Sequence, residues 1–483
     1  MKRVAVIGSG IAGLSAAWSL SEPRSGCAVS LFEAGSRFGG HAHTVEVTLK
    51  DEAGAPVTHG VDIGFLVYNQ RTYPRFIQLL DSLGVDTAPS EMSFSVQTAW
   101  PPGMGQRRLE WSGSNLNTVF AQRRNLLSPR FLGLLVDVLR FNRLATRLAT
   151  RLTNHPDSHA TGSDTNDAQM TRPIGEFLDL HGFGQGFRDG YFLPMIACIW
   201  SCPIDQMLRF PTASLIRFCH NHGLIQVRDR PPWRTVAGGS RRYVDAMLAR
   251  IGDQRLNSAV QTVRRTQAGA LVQTAHGTEH FDAVVMAAHS DQSLALLGDD
   301  ASAQERAVLS AIRYQDNLAV LHTDCAVLPQ RRSAWAAWNY ERAPSNASDR
   351  DRVCLHYWIN RLQPLPWRQP VIVSLNPVRP PNPEQVLLRQ VFAHPAFDQA
   401  ALSAQAELPA LQGRRSTWFA GAWCGHGFHE DGLRSGMAAA AGVRNALHRG
   451  QQAGADGSTA LPRSLFPTGD SPPGPALVRA CVA

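Results

Sequence analysis

The sequence predicts an α/β fold in which a doubly wound, mostly parallel sheet is assembled from separated pieces of chain, with other material inserted between them. Three observations carry this. The apolar run VAVIG passes through a glycine turn and a helix-forming stretch into a second apolar run, AVSLFEA. The pattern returns at 258–290, in SAVQTVRRT, ALVQTAHG and HFDAVVMAAH. Near the far end, the glycine-rich stretch GHGFHEDGLRSG (425–436) runs straight into the helix former MAAAAGV. Short continuous apolar runs are the mark of strands buried on both faces, as parallel strands are.

Taken in order, VAVIG leads into Gly8-x-Gly10-x-x-Gly13 and a helix over 10–20. The first glycine allows the tight turn, the second lets a pyrophosphate approach the backbone, and the third packs helix on strand. Ile11 and Ala12 bring the first helical N–H groups to the same place. Glu33 ends the second strand, where a carboxylate accepts hydrogen bonds from a ribose diol. This fingerprint serves NAD and FAD alike. HTVEVTLKDEAGAPVTHGVDIG reads as two strands joined by the turn DEAG, and 71–84 as a helix. NHPDSHATGSDTNDAQ (154–169) has no periodicity and reads as loop or local disorder. YFLPMIACIWSCPI (191–204) is too short to span a bilayer and reads as a buried segment or pocket wall. NLAVLHTD, CLHYWIN and PVIVSLNP add strands over 314–376, and STWFAGAW adds a last one that ends at the second glycine turn. Beyond His448 the chain is rich in Gly, Pro, Ser and Ala and reads as a flexible tail.

At 483 residues the chain is too long for one core, so two or three domains are expected. Its 44% hydrophobic and 18% charged residues are a soluble globular balance, and no apolar run is long enough to cross a bilayer. The opening MKRVAVIG could pass for a signal peptide, but its glycine spacing is better explained by the nucleotide fingerprint. Eight scattered cysteines without a CxxC pair argue against a disulfide framework or a zinc site, so no metal is expected and a reducing cytoplasm is the natural setting. Net charge is +8, almost all of it arginine; Lys2 and Lys50 are the only lysines. Arg140, Arg143, Arg147 and Arg151 fall on one face of a helix within 123–151. That face is either a solvated cover over core or a surface for an anionic membrane, which would place the protein peripherally at the inner membrane. No nucleic-acid motif is present, and the oligomeric state is not legible.

The stretch Glu33-Ala-Gly-Ser-Arg37-Phe-Gly39-Gly40 resembles the ExxxRxGG motif of the flavin amine oxidase, protoporphyrinogen oxidase and phytoene desaturase superfamily. Val61-Asp-Ile-Gly64 resembles the strand that follows it there. Val236-Ala-Gly-Gly239 and the helix after it resemble the entry to the second half of the FAD domain. Thr417-Trp-Phe-Ala-Gly421 with Gly432-Leu-Arg-Ser-Gly436 resembles the C-terminal flavin motif. The resemblance implies FAD as cofactor and a Rossmann-like FAD-binding domain with an inserted α+β substrate domain. It implies that Arg37, Gly39 and Gly40 wrap the diphosphate and that Val260, Gly421, Gly432 and Leu433 belong to the cofactor site. The FAD-binding domain is expected from 1–65, 230–300 and 410–448, the substrate domain from 66–229 and 301–409, and the tail from 449–483. AAHSDQSLALL, YQDNLAVLHTD, WAAWNY, YWINRLQ, SLNP and GFHEDGLRSG are similar to a bacterial family of predicted NAD/FAD-binding proteins. Its genes often lie beside cyclopropane fatty acid synthase-like methyltransferases, which hints at lipid chemistry. Two departures matter: no lysine is placed to hold a water at flavin N5, and Ala422 stands where many amine oxidases have Glu.

His426 and His429 flank the second glycine turn and are the candidate proton-transfer groups, against the reading that they hold the turn together. Glu430 and Asp431 read as caps of the helix they begin. Trp338, Tyr340 and Tyr357 lie in alternating strands that would floor an apolar substrate pocket, or else are plain core. The expected activity is FAD-dependent hydride removal from, or desaturation of, an apolar or lipid-derived substrate. Two rivals stand at this point: an NAD-dependent oxidoreductase, and a non-catalytic flavin- or lipid-binding partner of a fatty-acid-modifying methyltransferase.

Overall fold

The structure, a computed structural model, describes residues 1–99, 108–154, 172–200, 207–226, 230–342 and 353–453. Its first layer is a five-stranded parallel sheet in the order Asp253–Arg255, Cys27–Phe32, Lys2–Ile7, Ala283–Met286, Thr417–Phe419. Three distant stretches of chain thus build one sheet. Val4, Val6, Val284 and Val285 are fully buried because helices cover one face and a three-stranded sheet covers the other. On the helical face lie Ile11–Leu20 and the closing helix His429–Ala453, packed against each other. A side chain at Gly436 would overlap the Ala12 carbonyl, so the two helix axes approach as closely as backbone permits.

HFDAVVMAAH is two strands, not one. Gly277–Phe281 belongs to the three-stranded sheet and Ala283–Met286 to the parallel sheet. The carboxylate of Asp282, between them, is taken by Lys2 and by the Arg3 N–H, so a polar residue in an apolar run marks a change of sheet. The closing helix also continues through Ala453, past the His448 at which a tail was expected to begin. Polar, helix-compatible residues such as Arg449, Gln451 and Gln452 carry it on. The segments 154–169 and 191–204 were read from sequence; 155–169 and 201–204 lie outside the described residues.

The second layer is a seven-stranded mixed sheet in the order Val386–Ala396, Arg313–His322, Ile372–Leu375, Cys354–Trp358, Trp338–Glu341, Phe94–Ala99, Arg108–Ser112. Helices from 129 to 221 cover part of it around a core that includes Phe131, Phe141, Phe177, Phe187 and Phe192. No described helix is long and apolar enough to cross a membrane. Asp62 ties the layers together. Its buried carboxylate accepts from the Thr44 hydroxyl (2.6 Å), the Ser240 N–H (2.9 Å) and hydroxyl (2.7 Å), and the Gln363 amide (2.7 Å). The VDIG strand, the start of the helix Arg241–Leu248 and the mixed sheet's Ile359–Leu362 turn therefore share one carboxyl group.

Candidate functional site

A cavity of about 700 Å³ lies between the two sheets. The carboxyl ends of the parallel strands open onto it through Ile7-Gly8, Phe32-Glu33, Ala287-Ala288 and Gly421, which is where open α/β sheets bind ligands. Gly8 takes φ +102° and a side chain there would meet the Ala287 carbonyl, whereas Gly10 has open space before it. No side chain caps the helix Ile11–Leu20, so its first N–H groups remain for a ligand. Gly40 takes φ +58°, and a Cβ on it would stand 2.9 Å from the Gly10 Cα. Two glycine turns thus press together at one cradle that any larger residue would fill.

Glu33 lines this end of the cavity. One carboxylate oxygen accepts from Ser9 and the other from the Gly35 N–H (2.8 Å), which orients the group while leaving lone pairs for a diol. Gly8, Gly10, Ile11, Ala12, Gly40, Val260 and Gly421 line the cavity as well. The other expected cofactor residues lie just behind the wall. A Cβ on Gly13 would overlap the Gly8 carbonyl, and one on Gly432 would stand 2.7 Å from Ile11, so both hold elements close. Leu433 is core, and its carbonyl accepts from Ser15. Gly39, at φ +110°, donates its N–H to Ser9. Arg37 turns its guanidinium onto the carbonyls of Gly40 (2.7 Å) and Ala42 (3.3 Å), propping the glycine loop from behind.

The far end of the cavity is built from the other layer. Trp338 and Tyr357 are a cross-strand pair whose rings meet edge to face at 4.9 Å, and both line the cavity. Tyr340 does not. It lies one pleat repeat farther along the strand, beyond the cavity end and buried in the core. Met92, Cys198, Ile199, Phe218, Leu224 and Trp233 continue the wall, none of them identified from sequence; Cys198 and Ile199 do come from the segment read as a possible pocket wall. Among the described lining residues Glu33 is the only acid or base of the Asp, Glu, Lys and Arg kind, and it stands at the glycine-turn end.

Where the two ends meet, histidines gather: His41, His222, His289, His394, His426 and His429 all line the cavity. The His429 ring stacks on Phe65 at 3.7 Å and its Nε2 is 2.6 Å from the Tyr243 hydroxyl. Burial pushes its pKa down to about 3, so it is neutral and hydrogen-bonded at physiological pH. His426 is exposed at the rim, where its N–H donates to Asp431. Asp431 also takes the Phe428 N–H and so caps its own turn. Glu430 instead accepts from the N–H groups of Arg75 and Phe76 and caps the separate helix Pro74–Leu83.

His41 follows the glycine pair and was not singled out from sequence. Its ring stacks on Phe392 (4.9 Å) and lies 5.2 Å from that of His394. Its Nε2 is buried without a hydrogen-bond partner. His394 accepts at Nδ1 from the Asn317 amide (2.9 Å), which Asn376 orients, so its Nε2 carries the proton. Burial lowers the pKa of His394 to about 4 and that of His41 well below the usual range, leaving two neutral imidazoles side by side. Behind the floor, Glu341, Cys354 and His356 converge where sequence gave no sign of a metal site. Their contacts form a hydrogen-bonded chain: Ser374 links His322 to His356 (2.7 Å each), and Glu341 meets His356 (3.2 Å) and Arg108 (2.7 Å).

The model of the family described as flavin containing amine oxidoreductase matches residues 11–322. The chain belongs to that family. It is an FAD-dependent oxidoreductase, which removes the NAD-dependent and non-catalytic readings. A putrescine oxidase variant has the same fold at TM-score 0.63, with 16% identity over 92% of this chain and 99% of that one. A fatty acid isomerase from P. acnes that produces CLA gives 0.59, with 16% identity over 93% and 98%. Cyclohexylamine oxidase from Brevibacterium oxydans IH-35A gives 0.59, with 15% identity over 93% and 100%. No curated protein matches the chain by sequence.

Proposed function

We propose that this enzyme oxidises, or desaturates, an apolar and lipid-derived carbon chain, with FAD as the hydride acceptor. The carrying observation is the floor of the cavity, where Trp338, Tyr357, Val373, Leu375, Ile199 and Leu224 offer no charge to hold an ammonium or carboxylate. A charged substrate group buried there would lose its hydration without a partner, at a cost of several kcal/mol. Two relatives of this fold are named for amines and one for a fatty acid. The absence of a lysine among the described lining residues, and the apolar floor, favour the second kind of substrate.

When bound, FAD supplies the two-electron acceptor. The chain supplies position. The helix Ile11–Leu20 and the Gly39–Gly40 loop would hold the diphosphate, and Glu33 the ribose. The aromatic floor would align the chain and keep water out. His41, neutral and at the seam beside His394, has an unpartnered Nε2 that can hold a proton released beside the broken C–H bond. Anaerobic mixing with saturated and unsaturated fatty acids, followed by flavin absorbance and product mass, tests the reading. Bleaching or conversion with a long apolar chain, and none with polyamines, is expected. Rapid bleaching by putrescine or another primary amine, with no response to any apolar chain, overturns it.

A further inference from the structure

The helix Pro129–Asn154 buries Phe131, Leu134, Phe141, Ala145 and Ala149 in the substrate-domain core. Its outward stripe changes character along its length. Leu132, Val136 and Leu139 come first, and Val136 and Leu139 are 62% and 50% exposed. Arg143, Arg147 and Arg151 continue the same stripe, all exposed. Just before the helix, Leu127 is 88% exposed on the turn Arg123–Leu127, beside the exposed Arg123 and Arg124. Asp137 is the only acidic residue of the helix, and it pairs with Arg140 at 3.3 Å. Arg140 is further fixed by the His181 carbonyl and the Phe183 ring. Among the described residues, Arg143, Arg147 and Arg151 have no acidic partner.

A groove of about 470 Å³ runs along this stripe, walled by Val136, Leu139 and Leu144 on its apolar side and by Arg140, Arg143 and Arg147 on its basic side. Exposed leucine and valine cost solvation in water, and a row of guanidinium groups with no acidic partner among the described residues costs like-charge repulsion. A surface that places acyl carbon against the first and phosphate against the second relieves both. We propose that this face docks on an anionic lipid bilayer, with Leu127, Val136 and Leu139 entering the acyl boundary and Arg143, Arg147 and Arg151 meeting lipid phosphates. The helix Thr212–Asn221 packs against this helix and carries Phe218 into the cavity wall, so one helix separates the docking face from the site. The inference stands on the surface alone and does not depend on the substrate being a lipid.

The test is co-sedimentation of the FAD-loaded enzyme with vesicles of phosphatidylcholine and with equimolar phosphatidylglycerol and phosphatidylcholine, over a salt series. Expected is binding to the anionic vesicles that weakens as salt rises. The variant Arg143→Gln/Arg147→Gln/Arg151→Gln should bind on the order of a hundredfold more weakly, at about fivefold per arginine. Val136→Asp/Leu139→Asp should also bind more weakly while keeping its flavin content and melting temperature. Equal binding to both vesicle types, wild-type binding by either variant, or no sedimentation at low salt overturns the proposal. So does displacement by inorganic phosphate at constant ionic strength, which would make the groove a site for free phosphate.

Discussion

The two ends of the cavity are made of different material. The cofactor end is backbone: glycine turns at Gly8–Gly13 and Gly39–Gly40, an uncapped helix start, and one carboxylate. The substrate end is side chain: rings and aliphatic groups that arrive from strands and helices between Met92 and Phe428. Backbone N–H groups can be aimed only by fixing φ and ψ, so that end tolerates almost no substitution. An apolar wall needs only volume, so the other end can be rebuilt by exchanging hydrophobic residues. On the proposed assignment of the two ends, the cofactor is set by local geometry and the substrate by long-range packing.

Acid should separate the two ends most strongly. Backbone donors do not titrate, but the seam does. Burial holds His222 and His394 at about 4, His429 at about 3, and His41 well below its ordinary 6.5. In the unfolded chain these groups would titrate near 6.5. The unfolded state therefore takes up protons first as pH falls. Their contribution to stability should be complete above pH 6.5 and should be lost as pH drops from 6.5 toward 4. Urea unfolding across that window should show it, with proton uptake on unfolding. A flat stability curve down to pH 5 would remove the histidines from the argument.

Among single substitutions, Gly13→Ala should have the largest effect, about 3 kcal/mol or more, since its Cβ would overlap the Gly8 carbonyl where strand and helix cannot part. The protein should be recovered with little flavin, read from the ratio of visible to ultraviolet absorbance. Asp62→Ala should cost about 3 kcal/mol of unfolding free energy by leaving Thr44, Ser240 and Gln363 without their shared acceptor. Its denaturant midpoint decides this, and an unchanged midpoint would show that the two layers are not joined there. Glu33→Ala should weaken FAD retention by about 1.5–3 kcal/mol with the fold intact, measured by reconstitution of apo-protein. Trp338→Leu should act at the other end. Flavin content should be unchanged, while affinity for a long apolar chain falls by about 1 kcal/mol in calorimetry. Loss of flavin in that variant would show that the two ends are not separable.

Much of the glycine-lined end of the cavity was legible because its signals are short-range. Gly8, Gly10 and Glu33 lie within one strand–turn–helix–strand unit, and each is required by a turn, a close approach or a strand end. Sequence also placed Gly421, Val260 and the second glycine turn, but as parts of a resemblance. The packing of Gly432 on Ile11 and of Gly436 on Ala12, which brings the two helices together, is visible only in three dimensions. Trp338 and Tyr357 were readable from strand alternation, yet alternation could not say that Tyr340, on the same face, lies past the cavity end.

By itself, then, the sequence determined the parallel sheet and its two glycine turns, because strand period, turn chemistry and helix starts are local properties of the chain. The tertiary structure decided the rest. It placed His41 beside His394, gave Glu430 to a different helix, split HFDAVVMAAH between two sheets at Asp282, and gathered an uncharged floor from distant strands. Each of these depends on which surfaces meet, and that follows from how the whole chain buries its apolar area and satisfies its buried polar groups rather than from any one segment.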